Sequence, residues 1–304
     1  MGFIELQAKK YFSLVLLLGG LLGLLLPSLG LFLQVLIIPS LFVLMFFTAL
    51  KVDFHRLGAS LKKPKLLLFA TFLSYIFIPA VLVFFSAFLG FTEEQKLAVL
   101  FSALAPTILS APYFVSIMKG DVEFSFVLSV ILTFLAPFFI PLEIYLFFAK
   151  SVELPLLEIF RSIFILVFIP ISAVYILKKS VPKVIKKIEE VESSATALMF
   201  FIFTWAIIAS NAEDIKALSS FMVLVLFIAF VQEFVFFFLL RFLTKLFMSD
   251  ALSKSFAFSI AIKNTVLTAG IAMYYSSDLA IVSSIVVLMH VPMFAYIMYK
   301  REKI

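Results

Sequence analysis

Apolar residues run along this chain in long blocks, separated by short polar joins. Ten blocks stand out, at about 11–29, 31–50, 66–90, 96–118, 122–149, 155–177, 194–211, 217–246, 251–275 and 279–299. A block of roughly twenty residues crosses the hydrocarbon core of a bilayer as one helix. Unbroken apolar runs of that length exclude the alternating strands of a barrel. Only a helix satisfies its own backbone in lipid over such a run. The pattern predicts an all-α membrane protein with ten transmembrane helices. The first block has no small-residue cleavage site and runs into the second, so it is expected to remain as a span.

Composition agrees. Of 304 residues, 64% are apolar and 14% charged, and the mean hydropathy is +1.21. Soluble domains carry roughly 45–50% apolar and about 25% charged residues. No polar stretch here is long enough for a soluble domain. The net charge of +6 reports orientation rather than nucleic-acid binding. With the N-terminus placed inside, 19 of the 24 Lys and Arg residues fall on the cytoplasmic side. Lys96, Lys150, Arg161 and Lys216 fall outside, and Lys263 lies within the membrane. The chain is therefore expected to be a multi-pass protein of the cell membrane with both termini cytoplasmic. Cysteine is absent, which excludes disulfides, thiolate metal sites and cysteine nucleophiles. With only two His, neither a metal nor a cofactor is expected.

The longest cytoplasmic join, KKSVPKVIKKIEEVESS, is amphipathic and lies just past the midpoint. It is expected as a surface helix or strap, a cytoplasmic linker over 178–193. Residues 1–177 then hold helices 1–5 plus helix 6, and 194–304 hold helices 7–10. Two sets of five helices, an odd number, insert in opposite orientations, which is the arithmetic of an inverted repeat.

Polar residues inside the apolar blocks mark the candidate chemistry. The ninth block, ALSKSFAFSIAIKNTVLTAGIAMYY, places Lys263 and Asn264 at mid-membrane. A charge at that depth costs at least a few kcal/mol, so it needs a partner, a wet cavity or a ligand. Asn264, Thr265, Thr268 and Gly270 weaken the helix there. The fourth block carries Pro106 and Pro112, each of which removes a backbone donor and opens the helix. Interrupted helices at matching places in two halves point to a transport site. Thr107, Ser110, Asn264 and Thr265 stand beside these breaks. Glu233, midway along the eighth block, is the other charge at depth, and an ion pair with Lys263 is its expected contact; the competing reading keeps it protonated in the core. His290 also lies at depth, as a packing residue or an ion or proton ligand. The 41 Phe residues are expected to face lipid and fill gaps between helices.

Residues 41–142 resemble the bile acid:sodium symporter family. The resemblance rests on ALKVDFHRLGASLKKPKLLLF, FLSYIFIPA and ALAPTILSAPYFVSIMKGDVEFSFVLSVILTFLAPFFIPL. It implies ten helices in two inverted five-helix repeats. Helices 1, 2, 6 and 7 form a panel, helices 3–5 and 8–10 form a core, and broken helices 4 and 9 cross. Family members carry organic anions with sodium. The family's Ser-Asn pair falls at Ala111 and Pro112, which cannot coordinate a cation. Its hydroxyl ligands on the fifth helix survive as Ser125 and Ser129. Its glutamate and its glutamine–asparagine pair on the ninth helix fall at Ser259, Lys263 and Asn264, and a third-helix glutamine falls at Ser74. An ammonium at that place repels sodium and takes up its position, its donors reaching the surviving hydroxyls.

The resulting expectation is a secondary transporter of a small organic anion, working by alternating access without sodium. Lys263 either holds the substrate carboxylate or stands in for the coupling ion. Two alternatives are proton coupling through Lys263 and Glu233, and an arsenite-type relative of the same fold. An enzyme is not expected: mid-membrane Asp pairs, H-E-x-x-H and a Ser/His dyad are all missing from the sequence, as is a G-x-x-x-x-G-K-[ST] stretch for ATP.

Overall fold

The computed structural model describes residues 12–50, 63–108, 110–149, 155–217 and 219–302. The join 51–62, which carries part of the family resemblance and several of the basic residues counted above, lies outside them. The described residues are mostly helical, with no strand beyond one isolated bridge among them.

Thirteen helices follow one another among the described residues. They are α1 (Phe12–Leu25), α2 (Pro27–Leu50), α3 (Pro64–Phe88), α4 (Glu93–Ala103), α5 (Ala111–Ile117), α6 (Val122–Phe148) and α7 (Leu156–Ser180). The rest are α8 (Pro182–Ser210), the short α9 (Ala212–Ala217), α10 (Ser220–Thr244), α11 (Asp250–Ala261), α12 (Thr265–Tyr275) and α13 (Ser277–Glu302). Seven of these, α2, α3, α6, α7, α8, α10 and α13, are long and apolar enough to cross a membrane unaided. The remaining three expected spans are shorter pieces. The described part of the first is 14 residues, and the fourth and ninth are each cut in two.

Helix starts follow their caps. Thr92 and Gln95 make a reciprocal capping box at the start of α4. Ser249 accepts from the Leu252 N–H at the start of α11. Pro112 sits in the first turn of α5, where its missing N–H costs nothing.

Over 178–193, where the linker is expected, the chain is helical. α7 runs on to Ser180, α8 begins at Pro182, and only Val181 leaves the helix, at φ −137° and ψ 57°. Pro182 pushes the residue before it out of the helical region, while its own φ suits a helix start. The lysines and glutamates that follow are good helix formers, so they extend α8 rather than forming a separate strap.

Helix α8 packs along α1 and α2, and α7 lies against α2. Elsewhere α13 packs on α12 and α4, α10 on α11, and α3 on α4. Where α12 meets the first group, Gly270 allows close approach. A Cβ there would overlap Leu41 Cδ1 and lie 3.1 Å from Phe203 Cε2.

Two helices carry a π-turn, a widening by one residue that often accompanies function. In α3 it spans Leu73–Phe77, and in α10 Val231–Val235. Both place buried polar residues at their second and third positions: Ser74 and Tyr75 in one, Gln232 and Glu233 in the other.

Candidate functional site

The chain opens between α4 and α5, around Pro106, and between α11 and α12, over Ile262–Asn264. The two openings satisfy each other. The Ile108 N–H donates to the Ile262 carbonyl at 3.2 Å, and the Asn264 N–H donates to the Pro106 carbonyl at 2.6 Å. Thr107 and Lys263 thus face each other in an antiparallel bridge. The Thr107 hydroxyl also donates to the Ser259 carbonyl. Unwound backbone at this depth is tolerable only when it is paired or lines a cavity, and here it does both.

Lys263 is fully buried. Its ammonium donates to the Ser74 hydroxyl at 3.0 Å and to the Ser74 carbonyl at 3.2 Å, and lies 6.0 Å from the Tyr75 ring centre. The π-turn displaces the carbonyls of α3 from the ordinary i−4 ladder, leaving one open to the amine. The hydroxyls expected to receive it are engaged otherwise. Ser125 and Ser259 share a hydrogen bond of 2.8 Å, and Ser129 donates to the Ser125 carbonyl at 2.7 Å.

Glu233 is fully buried too, but its closest ionic contact is not Lys263. Its Oε1 lies 3.2 Å from His290 Nε2. Lys263 remains within electrostatic reach of the carboxylate. The neighbouring Gln232 was missed by sequence reasoning, although its amide stands out in the apolar block as clearly as Glu233 does. It donates to the Ser102 carbonyl at 3.3 Å and accepts from the Ser102 hydroxyl at 3.0 Å, tying α10 to α4.

A cavity of about 300 Å³ opens beside the crossing, between it and helices α2 and α8. Ser110, Pro112 and Asn264 line it, as do Thr48, Thr196 and Glu192. Most of the remaining wall is apolar, with Phe114 and Phe200 among it. The structure thus divides the expected site residues. Ser110, Pro112 and Asn264 face the cavity, while Lys263, Ser74, Ser125, Ser129 and Ser259 are packed in the protein behind it. Thr265 is buried at the start of α12, its hydroxyl without a hydrogen-bond partner among the described residues. The amine therefore does not line the cavity wall.

A family model described as the Sodium Bile acid symporter family matches residues 38–220. No curated protein matches the chain.

Proposed function

This chain belongs to the sodium bile acid symporter family, and from that premise we propose that it moves a small organic anion across the membrane by alternating access, without sodium. It would do so as a secondary transporter of ten crossings in two inverted repeats. Helices α1, α2, α7 and α8 form the panel; α3–α6 and α10–α13 form the core. Both termini are cytoplasmic in the cell membrane.

One observation carries the loss of sodium: the Lys263 ammonium rests on Ser74, two positions where the resemblance puts sodium ligands. Sodium needs several oxygen donors, helped by a negative charge. Here the glutamate position is Ser259, the Ser-Asn pair is Ala111–Pro112, and the Lys263 amine already occupies the place. The residues present do not fit the metal.

The cavity geometry supports the second of the two roles weighed for Lys263. An amine packed behind the wall replaces the coupling ion and holds α3 against the break; it does not grip the substrate. An anionic group in the cavity is left to hydroxyl and amide donors, Ser110, Thr48, Thr196 and Asn264, and to the first turn of α12. A helix start favours negative charge. The apolar wall suits a substrate with a greasy body.

Uptake of labelled taurocholate into proteoliposomes, in sodium or in potassium medium, tests the reading. Equal uptake in the two media is expected. A steep rise with sodium contradicts it.

A further inference from the structure

Behind the cavity lies a second ionisable contact that the transporter reading leaves without a role. Glu233 occupies the third position of the π-turn in α10, and His290 lies midway along α13. They are 0% and 2% exposed, and Oε1 and Nε2 stand 3.2 Å apart. Yet neither carboxylate oxygen, nor Nε2, has a well-aligned hydrogen bond among the described residues. Two groups that each accept a proton are in contact, with capacity unused on both. A structural polar pair is normally satisfied when buried.

The equivalent place in the other π-turn shows what packing alone requires. Tyr75 holds the third position in α3, and its hydroxyl donates to the Leu132 carbonyl of α6 at 2.5 Å. One turn carries a satisfied phenol; the other carries a carboxyl group facing an imidazole.

The pair also connects to the cavity. The His290 ring stacks on Phe294 at 5.4 Å between centres, Phe294 stacks on Phe114 at 4.0 Å, and Phe114 lines the cavity. Few other charges approach. On the described helices packed against the π-turn, Arg241 of α10 pairs with Asp250 of α11, as does Lys254, at the far ends of those helices. The described part of α13 adds Asp278 in its first turn and Tyr296 and Tyr299 beyond His290. From the crossing comes Lys263.

The geometry points to Glu233 and His290 as one proton-binding site that couples substrate movement to the proton gradient, an inference that rests on the transporter reading above. A proton taken from water on one side forms an O–H on Glu233 or an N–H on His290. It returns to water on the other side, and no other bond changes. The empty pair presents one net negative charge to the Lys263 amine, and the loaded pair presents none. Loading therefore weakens the pull on the break between α11 and α12, where the substrate cavity begins.

Infrared difference spectroscopy of the full chain in lipid nanodiscs, titrated from acid to alkaline pH, reads the pair without any substrate. A carboxyl C=O band and an imidazole band should titrate together. Glu233→Gln should remove the first and move the midpoint of the second by about one pH unit or more, as strongly interacting groups do. His290→Gln should do the reverse, and Glu233→Asp should keep a shifted carboxyl band. Bands that titrate independently, or a carboxyl band that survives Glu233→Gln, overturn the proposal. In proteoliposomes, wild-type accumulation of taurocholate should approach tenfold per pH unit of inward proton gradient for one coupled proton, at about 1.36 kcal/mol per unit. That dependence should vanish in both variants; accumulation that still follows the gradient in both overturns the proposal. Wild-type vesicles that take up no taurocholate even by counterflow overturn the transporter reading for bile acids, while the infrared bands still decide the pair.

Discussion

The Lys263 ammonium lies 3.0 Å from the Ser74 hydroxyl and 3.2 Å from the Ser74 carbonyl, joining the break after α11 to the π-turn of α3. This contact explains how a lysine persists at mid-membrane depth. The amine is held by two acceptors of one residue, with an aromatic face nearby. It also joins α3 to the break between α11 and α12.

Ser74→Ala removes one acceptor and keeps the other. A hydrogen bond to a charged group contributes about 1.5–3 kcal/mol. The substitution should lower unfolding free energy by roughly that amount, read from denaturant or thermal midpoints in detergent. An unchanged midpoint would show that the hydroxyl does not hold the amine.

Gly270 sets how closely α12 approaches Leu41 of α2 and Phe203 of α8. Gly270→Ala should destabilise by about 1–3 kcal/mol, the usual cost of overpacking. Leu41→Ala in the same chain should recover part of that loss, because Leu41 is the first side chain the new methyl meets. Purely additive losses in a double-mutant cycle would show that the two are not coupled.

Lys263→Gln together with Ser259→Glu removes the fixed cation and restores an amide and a carboxylate at two positions the resemblance gives to sodium ligands. Transport by this double variant should become sodium-stimulated. Sodium independence in a folded double variant would mean that Lys263 is not what excludes the ion.

Seven membrane-length helices and the breaks were legible in the sequence because both are local. Hydropathy marks the blocks, and Pro106 and the Lys263–Asn264 pair interrupt them within their own turns, while Pro112 falls in the first turn of α5. The contacts across helices were less readable. Ser74 and Ser259 are ordinary serines in sequence, and only a π-turn, which has no side-chain signature, makes Ser74 the acceptor for the amine. Glu233 was legible as a charge at depth, but its contact depends on how α10 and α13 are rotated against each other, so His290 rather than Lys263 stands at 3.2 Å. The basic stretch over 178–193 read as a surface helix or strap; it is helical with a single break at Val181, in keeping with its helix propensity.

The most direct test of a fixed amine in place of sodium needs no substrate. A ligand that binds only the folded state stabilises it by RT ln(1 + [L]/Kd), about 2.7 kcal/mol at a hundredfold excess over Kd. Thermal unfolding of the purified protein in sodium chloride and in potassium chloride at equal ionic strength should give the same midpoint. A sodium-specific rise in the wild-type midpoint would contradict the replacement of the ion by Lys263.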